Sequence, residues 1–190
     1  MILIAIGSNL RSSLYGMPEN NCSEVIKILR KYFFVVNVSN FYKTEPIPKS
    51  NQPWYVNAAI EIKTNLKPKD VIDRLFFIEN HFGRIRKQKN EARVIDLDLL
   101  CYGNLKINNH NLIIPHPRLH IRKFVLKPIC DINPLWEHPI LKKKAINLLK
   151  GLANQKIFNI KSDHSEYQQP DSASVATSEG SWNESESETH

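Results

Sequence analysis

Two aspartates separated by one residue offer the clearest chemistry in this chain. Asp96 and Asp98 lie in the run 94–101, whose apolar and β-branched residues are typical of a strand. Successive side chains of a strand point to opposite faces, so both carboxylates share one face. Two such charges repel unless water solvates them or divalent cations neutralise them, and carboxylate oxygens suit Mg²⁺ in particular. The pair is either the exposed polar side of an amphipathic strand or a magnesium site.

A basic segment immediately upstream favours the magnesium interpretation. Its cationic residues are Arg84, Arg86, Lys87, Lys89 and Arg93. These side chains bind phosphate oxygens, and arginine does so bidentately. Metal ions beside arginines are typical of phosphoryl transfer, in which the protein positions groups and neutralises developing charge. Taken alone, a basic loop fits a solvated surface or a nucleic-acid patch equally well.

Three further groups could complete a site, and each has a plainer structural explanation. Glu79 lies on the helix before the basic segment, where it could orient an arginine, contact a nucleoside, or form a weak exposed ion pair at the helix rim. His116 stands between two prolines and could donate to a phosphate, although loop histidines are usually structural. Tyr55, Asn57 and Phe124 could stack on and hydrogen-bond a planar heterocycle, although strand aromatics more often belong to the core.

The glycines exclude the common nucleotide-binding loops. The six glycines form neither GxxxxGK[ST] nor GxGxxG, which excludes a P-loop, a Rossmann fingerprint and a protein-kinase glycine loop. Neither GxSxG nor HExxH occurs in the chain. Any nucleotide must therefore be held by side chains and metal.

Hydrophobic periodicity predicts the elements that would position these residues. Helices are predicted over 18–32 and 68–82, and strands over 2–6, 33–41, 54–62 and 94–101. The order β, α, β, β, α, β matches an α+β, ferredoxin-like βαββαβ sandwich, with an antiparallel sheet and both helices on one face. C-terminal additions follow, as a strand-like segment over 124–129 and a helix over 141–152. The loop 43–53, with three prolines, is long enough to be functional.

Length and composition limit the class of protein. With 190 residues, 42% hydrophobic and 24% charged, the chain predicts one compact domain with a real core, and excludes a large multidomain assembly. No apolar run approaches the roughly 20 residues of a transmembrane helix, and the first residues lack a secretory signal pattern. We therefore expect a cytoplasmic protein. The three cysteines fit no disulfide or zinc spacing.

The charge distribution divides the chain into two parts. Residues 161–190 hold seven acids, one base and eight serines, which predicts a disordered acidic tail. The predicted domain, residues 1–160, carries 25 basic and 12 acidic residues, a net charge of +13. Such a balance favours an anionic partner, either a nucleic acid or a phosphorylated small molecule.

Several motifs, from residue 1 to about 135, occur in the order found in one known family. They are Ala5–Leu10, Phe41–Pro46, Gln52–Ala59, Ile78–Glu79, Gly83–Arg86, Asn90–Leu100, Ile114–Arg118 and Arg122–Leu126. With these motifs the chain resembles the 6-hydroxymethyl-7,8-dihydropterin pyrophosphokinases of folate biosynthesis. The acidic tail has no part in the resemblance.

The resemblance implies a ferredoxin-like fold and transfer of pyrophosphate from ATP to the hydroxymethyl group of the pterin, giving AMP and the pterin pyrophosphate. Asp96 and Asp98 would hold two Mg²⁺ ions. Arg84 and Arg93 would stabilise charge on the transferring group. The nucleotide phosphates would be held by Arg86, His116 and Arg122, with Glu79 near the nucleoside. The pterin would be bound by Thr44, Ile47, Tyr55, Asn57 and Phe124.

The resemblance also implies how the protein acts. ATP and the reduced pterin would be its partners, with neither nucleic acid nor membrane, and a monomer is expected. The loops 43–53 and 84–93 would close over the substrates and exclude water, whose attack competes with the transfer.

The chain departs from the family pattern at three places. Pro48 stands where a glycine is common, which would stiffen the first loop. The basic loop is about one residue shorter than in the best-known members, with Lys89 and Asn90 where arginine and tryptophan stand. Asn111 and Ile113 replace other contacts to adenine. These differences affect loop closure and nucleotide affinity but leave the reaction class unchanged.

Two other functions share some of these features. An RNA-binding module would suit the element order and the basic domain, but the chain lacks the aromatic RNP stretch, and two strand aspartates would repel a phosphate backbone. A palm-type nucleotidyl transferase or cyclase also uses strand carboxylates and two metals. Its product separates it, because nucleotidyl transfer releases pyrophosphate whereas pyrophosphoryl transfer releases AMP.

Overall fold

The computed structural model describes residues 1–83, 91–152 and 155–160. The strands are β1 (Ile2–Ser8), β2 (Phe34–Val38), β3 (Phe41–Thr44), β4 (Tyr55–Lys63), β5 (Asp96–Tyr102), β6 (Ile107–Asn108), β7 (Ile113–Ile114) and β8 (Ile157–Ile160). The helices are α1 (Pro18–Tyr32), α2 (Pro68–His81), α3 (Lys123–Ile132) and α4 (Ala145–Lys150). The predicted acidic tail, 161–190, lies outside the described residues, as do Arg84 and Arg86.

The main sheet is antiparallel in every described pairing, with the order β5-β1-β4-β3-β8. β2 and β3 pair with the same edge of β4. β3 pairs with its first half and β2 with its second half, so the two strands lie end to end along β4. β6 and β7 form a separate two-stranded ribbon. The predicted combination of an antiparallel sheet with packed helices is therefore confirmed.

One face of the sheet is covered by α1 and α2. Both helices begin with proline, which suits the first helical turn because its missing N–H has no intrahelical partner to lose. Their apolar stripes pack with side chains of β1, β4 and β5 into one core. Its members from the helices include Val25, Ile26, Leu29, Val71, Leu75 and Ile78, all at most 1% exposed.

The opposite face is covered by α3 and α4. Leu3 and Ala59 of the sheet join Val125, Leu126 and Ile129 of α3 in a second core. The protein thus has three layers, with the sheet in the middle and apolar residues on both of its sides. None of the described helices has the length and apolar character needed to cross a membrane.

The predicted strand over 124–129 is wrong, because these residues belong to α3. Val125, Leu126 and Ile129 are spaced as one helical stripe, and that stripe is buried against the sheet. In isolation, the β-branched Val125 and Ile129 favour a strand. The helix forms even with Pro128 in its interior, because burial of the stripe outweighs the lost backbone hydrogen bond.

The predicted strand over 33–41 is divided in two. Ser39 lies at the break, where its hydroxyl accepts the Ala59 N–H at 2.8 Å and its own N–H donates to the Ala59 carbonyl at 2.9 Å. A side-chain oxygen therefore takes the place of a backbone partner, and the chain can bend without leaving the edge of β4 unpaired. The predicted helix over 141–152 is shorter than expected, because a turn at His138–Lys143 precedes α4.

Truncation of the core should distinguish buried from exposed leucines. We expect Leu29→Ala, at a fully buried position of α1, to lower the free energy of unfolding by about 2–5 kcal/mol through lost burial and cavity formation. Leu135→Ala removes the same atoms from a side chain that is 62% exposed, and should change stability by only about 0.5 kcal/mol. Urea unfolding of both variants measures the difference. Equal losses would contradict the placement of α1.

Candidate active site

The two aspartates of β5 face the side of the sheet that carries α3. Ile95, Leu97 and Leu99 belong to the core beneath α1 and α2, whereas Asp96 and Asp98 are half-buried and line a cavity on the other side. The alternation of the strand thus places both carboxylates on one face, as the sequence predicts.

Small residues of β1 make room beside the carboxylates. Ala5 pairs with Asp98, and Gly7 pairs with Asp96 on one side and with Asn57 on the other. A β-carbon added to Gly7 would lie 3.3 Å from Asn57 Oδ1, which is tighter than ordinary contact, and 3.8 Å from Asp96 Cβ. The absence of a side chain at Gly7 therefore keeps the floor of the cavity open between β4 and β5.

The cavity has a volume of about 520 Å³ and brings together residues from distant parts of the chain. The residues predicted to contact pterin all line it, namely Thr44, Ile47, Tyr55, Asn57 and Phe124. So do five of the residues predicted to act on phosphates or metal, namely Arg93, Asp96, Asp98, His116 and Arg122. Arg84 and Arg86 lie outside the described residues, so their predicted roles stay predictions.

Glu79 is not placed in this cavity. It is 1% exposed, and its Oε1 accepts the Leu97 backbone N–H at 2.8 Å from the side of the sheet that carries α2. Of the alternatives for Glu79, the weak exposed ion pair at the helix rim is therefore wrong. The structure also gives no support to a nucleoside contact, because the carboxylate is enclosed between α2 and β5. Helical spacing could not reveal that β5 would cover this position.

The cavity also contains charged residues to which the sequence analysis gave no role. Arg118 lines it close to His116 and Arg122, and Glu45 and Glu91 line it as well. Arg118 directly follows the Pro-His-Pro segment. Because that segment is rigid, its position could have indicated that Arg118 lies in the same site as His116. No comparable sequence pattern indicates that Glu45 or Glu91 lies at the cavity.

Arg93 forms an ion pair with Asp96, with 3.0 Å between Nη1 and Oδ2. Its guanidinium also lies 5.9 Å from the centre of the Tyr55 ring. Burial works against the charged guanidinium, but Asp96 and Tyr55 more than offset it, so the pKa of Arg93 lies above its ordinary value. Arg93 is therefore a fixed positive charge beside the carboxylate pair.

Asn9, 2% exposed, holds Arg93 and the end of the first loop together. Its Oδ1 accepts the Arg93 backbone N–H at 2.8 Å, and its backbone N–H donates to the Arg93 carbonyl at 3.1 Å. Its Nδ2 donates to the Pro53 carbonyl at 3.1 Å and to Gln52 Oε1 at 3.3 Å. Asn9, directly after β1, thus positions two walls of the cavity at once.

His116 presents a neutral ring to the cavity. Its Nδ1 accepts the Arg118 backbone N–H at 3.2 Å, which assigns the ring proton to Nε2. Burial and the nearby Arg122 and Arg118 lower the pKa of His116 to about 4. The ring can therefore donate one hydrogen bond at neutral pH without adding another positive charge.

The other end of the cavity combines an amide with two aromatic rings. Asn57 Nδ2 donates to Thr44 Oγ1 at 2.7 Å, and both side chains are buried. Tyr55 is held by hydrogen bonds from its hydroxyl to Gln52 Oε1 at 3.2 Å and to the Glu91 carbonyl at 3.4 Å. Phe124 lies under the Arg122 guanidinium, 5.3 Å from the ring centre. This arrangement suits a flat ligand that also needs hydrogen bonds.

A model of the family described as 7,8-dihydro-6-hydroxymethylpterin-pyrophosphokinase (HPPK) matches residues 3–134, which include every cavity residue described above. The chain belongs to the HPPK family. The predicted family is therefore confirmed.

Curated relatives agree with this assignment. The 2-amino-4-hydroxy-6-hydroxymethyldihydropteridine pyrophosphokinase of Haemophilus influenzae is 40% identical over 131 residues, which are 68% of this chain and 79% of that HPPK. The Bacillus subtilis protein of the same name is 36% identical over 131 residues, covering 68% and 75% of the two chains. Folic acid synthesis protein FOL1 of Dictyostelium discoideum is 37% identical over 155 residues, and there the match spans 23% of the longer protein.

A solved structure shares the fold. The wild-type HPPK-DHPS of Plasmodium falciparum superposes with a TM-score of 0.61, at 14% identity, over 78% of this chain and 44% of that one. At this identity the likeness concerns the HPPK fold alone.

Titration of His116 should follow its buried position. Since its pKa of about 4 lies below the roughly 6.5 of an unfolded histidine, the unfolded chain takes up the proton first as the pH falls. The contribution of His116 to stability is thus complete above about pH 6.5 and is lost as the pH falls toward 4. NMR of the ring carbons, assigned with His116→Gln, should show a midpoint near 4. A midpoint near 6.5 would contradict the described environment.

Proposed function

We propose that this chain transfers pyrophosphate from ATP to the hydroxymethyl group of 6-hydroxymethyl-7,8-dihydropterin, giving AMP and the pterin pyrophosphate of folate biosynthesis. Membership of the HPPK family and relatives with pyrophosphokinase names support this reaction. The observation that carries the proposal is one cavity with paired carboxylates and arginines at one end, and an amide with two aromatic rings at the other. Such a cavity suits a phosphate chain that meets a flat heterocycle.

The donor set fits magnesium. Asp96 and Asp98 supply hard oxygen ligands, and the described residues contain no group of three or more His, Cys, Asp or Glu suited to a metal. Mg²⁺ is commonly held by one or two carboxylates together with substrate phosphates and water, unlike ions that need a complete protein cage. We propose two Mg²⁺ ions here. When bound, they would neutralise negative charge on the phosphate chain of ATP.

The arginines would neutralise the charge that develops during transfer. Arg93 is already fixed by Asp96 and by the Asn9 contacts, so little reorganisation is needed at the moment of reaction. We propose that Arg84 acts together with Arg93 on the transferring group and that Arg86 binds a phosphate. Both roles rest on the family resemblance alone. Arg122 would bind the nucleotide phosphates, and the cavity position of Arg118 supports adding it to that group. The nucleoside role of Glu79 is withdrawn.

His116 would donate from Nε2 to a phosphate oxygen. A charged imidazole beside two arginines is disfavoured, and the depressed pKa keeps the ring neutral under working conditions. A neutral donor can approach an anion closely without repelling the neighbouring cations. Its role is to orient the phosphate chain rather than to transfer a proton.

We define the pterin pocket as Thr44, Ile47, Tyr55, Asn57 and Phe124. The Asn57–Thr44 hydrogen bond fixes the amide, whose remaining polar groups would pair with the heterocycle. Tyr55 and Phe124 would stack on its two faces. In this pose the hydroxymethyl oxygen would point toward Asp96 and Asp98, where the phosphate chain would end.

The fold topology, the domain bounds and the cellular setting are part of the same proposal. The β5-β1-β4 order, with β2 and β3 at the far edge, supports a ferredoxin-like βαββαβ unit up to residue 102. We propose residues 1–160 as the catalytic domain, since β8 pairs with β3. A cytoplasmic monomer acting on ATP and the reduced pterin remains our expectation.

Product analysis tests the reaction directly. Incubation with ATP, Mg²⁺ and 6-hydroxymethyl-7,8-dihydropterin should yield AMP and the pterin pyrophosphate in equal amounts, measured by ion-exchange chromatography. Removal of Mg²⁺ with EDTA should stop the reaction. Release of inorganic pyrophosphate would point to nucleotidyl transfer instead, and formation of ADP would point to ordinary phosphoryl transfer.

Neutralising one carboxylate should affect turnover far more than folding. We expect Asp98→Asn to lower kcat at least about 100-fold, equivalent to about 2.7 kcal/mol of lost transition-state stabilisation, because an amide holds a cation poorly. The variant is isosteric, so its Tm should stay close to that of the wild type. Asp73→Asn, at an exposed ion pair with Lys69, is the matched control and should retain full activity. Near-normal kcat in Asp98→Asn would refute the metal site.

A further inference from the structure

Gln155 joins two walls of the cavity without being among its lining residues. Its Oε1 accepts the Phe124 backbone N–H at 3.2 Å, and its Nε2 donates to the Glu45 carbonyl at 3.5 Å. The side chain is 7% exposed. Phe124 and Glu45 both line the cavity. A single buried amide therefore links the backbones of two cavity residues that are far apart in the sequence.

The bond to Phe124 serves the first turn of α3. Phe124 is the second residue of this helix, so its N–H has no partner within the helix. Arg122, at the N-cap position, makes no side-chain cap hydrogen bond. Gln155 supplies the missing acceptor from a segment 31 residues away. The amide thereby fixes the backbone that carries the Phe124 ring.

The segment after Gln155 also contacts both ends of the loop between β3 and β4. At the start of the loop, the Lys156 N–H donates to Glu45 Oε1 at 3.3 Å, and Ile157 pairs with Thr44. At its end, Trp54 stacks on Phe158, with ring centres 5.8 Å apart and an angle of 20°. The C-terminal strand thus holds the loop that carries one side of the pterin pocket.

We propose that Gln155 is a positioning residue for pterin binding, which fixes the Phe124 ring against the Glu45 end of the loop. The inference rests on the proposed function. It extends beyond the family match, which ends at residue 134. The residues that would bind phosphates, including Arg93 and His116, make no described contact with Gln155. Arg122 contacts the Phe124 ring only through its guanidinium, so the effect should be larger for the pterin than for ATP.

Gln155→Met tests this role, because methionine fills a similar volume but makes neither hydrogen bond. We expect the Kd for 6-hydroxymethyl-7,8-dihydropterin, measured by calorimetry with a non-hydrolysable ATP analogue, to rise about tenfold. Two neutral hydrogen bonds together are worth roughly that factor. The pterin KM should rise in parallel, while kcat and the ATP KM should change less than about twofold.

Two further variants make the result interpretable. Gln155→Glu keeps an acceptor for the Phe124 N–H but places a buried carboxylate oxygen against the Glu45 carbonyl, so it should raise the pterin Kd at least as much as Gln155→Met. If Gln155→Met does not fold, the pterin Kd of Gln155→Glu tests the proposal instead. Asn159→Ala alters an exposed residue of β8, the strand that follows Gln155, and should leave the pterin Kd at the wild-type value.

The outcomes separate this inference from the function on which it rests. An unchanged pterin Kd in both Gln155 variants, with an active wild type, would overturn the inference alone. The inference would also be overturned if the Gln155 variants had a lower Tm, a smaller active fraction and equal changes in the pterin KM and the ATP KM. Those results are expected of a residue with only a structural role. Failure of the wild-type chain to form AMP would overturn the proposed function and the inference together.

Discussion

Repulsion between Asp96 and Asp98 is the constraint to which the rest of the cavity responds. The two carboxylates cannot leave their face of β5, because Leu97 and Leu99 occupy the core on the other face. A slip of one residue would bury both charges and expose both leucines. The negative charge at the cavity is therefore fixed by the apolar packing beneath it. Arg93 compensates part of it at 3.0 Å, and in the proposed function divalent cations would compensate the remainder.

The neighbouring strand turns that charge into a usable site. β1 lies between β4 and β5, and it places Ala5 and Gly7 where larger side chains would fill the cavity. Asn9 then leaves the sheet and binds both Arg93 and Pro53. A single segment thus supplies space for the reacting groups and fixes the position of a cation beside them.

Local signals predicted some elements well and others badly, for physical reasons. The bounds of α1 follow from a proline start and an apolar stripe, both of which act within a few residues. Val125 and Ile129 satisfy either a strand or a helix, and only packing against the sheet decides between them. The burial of Glu79 under β5 and the capping of α3 by Gln155 depend on contacts between distant segments. The shared face of Asp96 and Asp98 follows from strand alternation, whereas the other cavity residues follow from motifs and resemblance.

Charge balance in the cavity explains the neutral state of His116. Arg93, Arg118 and Arg122 already bring three cations to the cavity, and a fourth would be repelled by the two arginines beside the imidazole. The protein thus combines permanent cations with a neutral donor, so that the positive charge facing the phosphates does not vary with pH near neutrality. Asp96 and Asp98 oppose these cations. A phosphate chain without divalent cations would be repelled by the two carboxylates. In the proposed function, binding of the phosphate chain and of the divalent cations would therefore be mutually favourable, each raising the affinity for the other by the same factor.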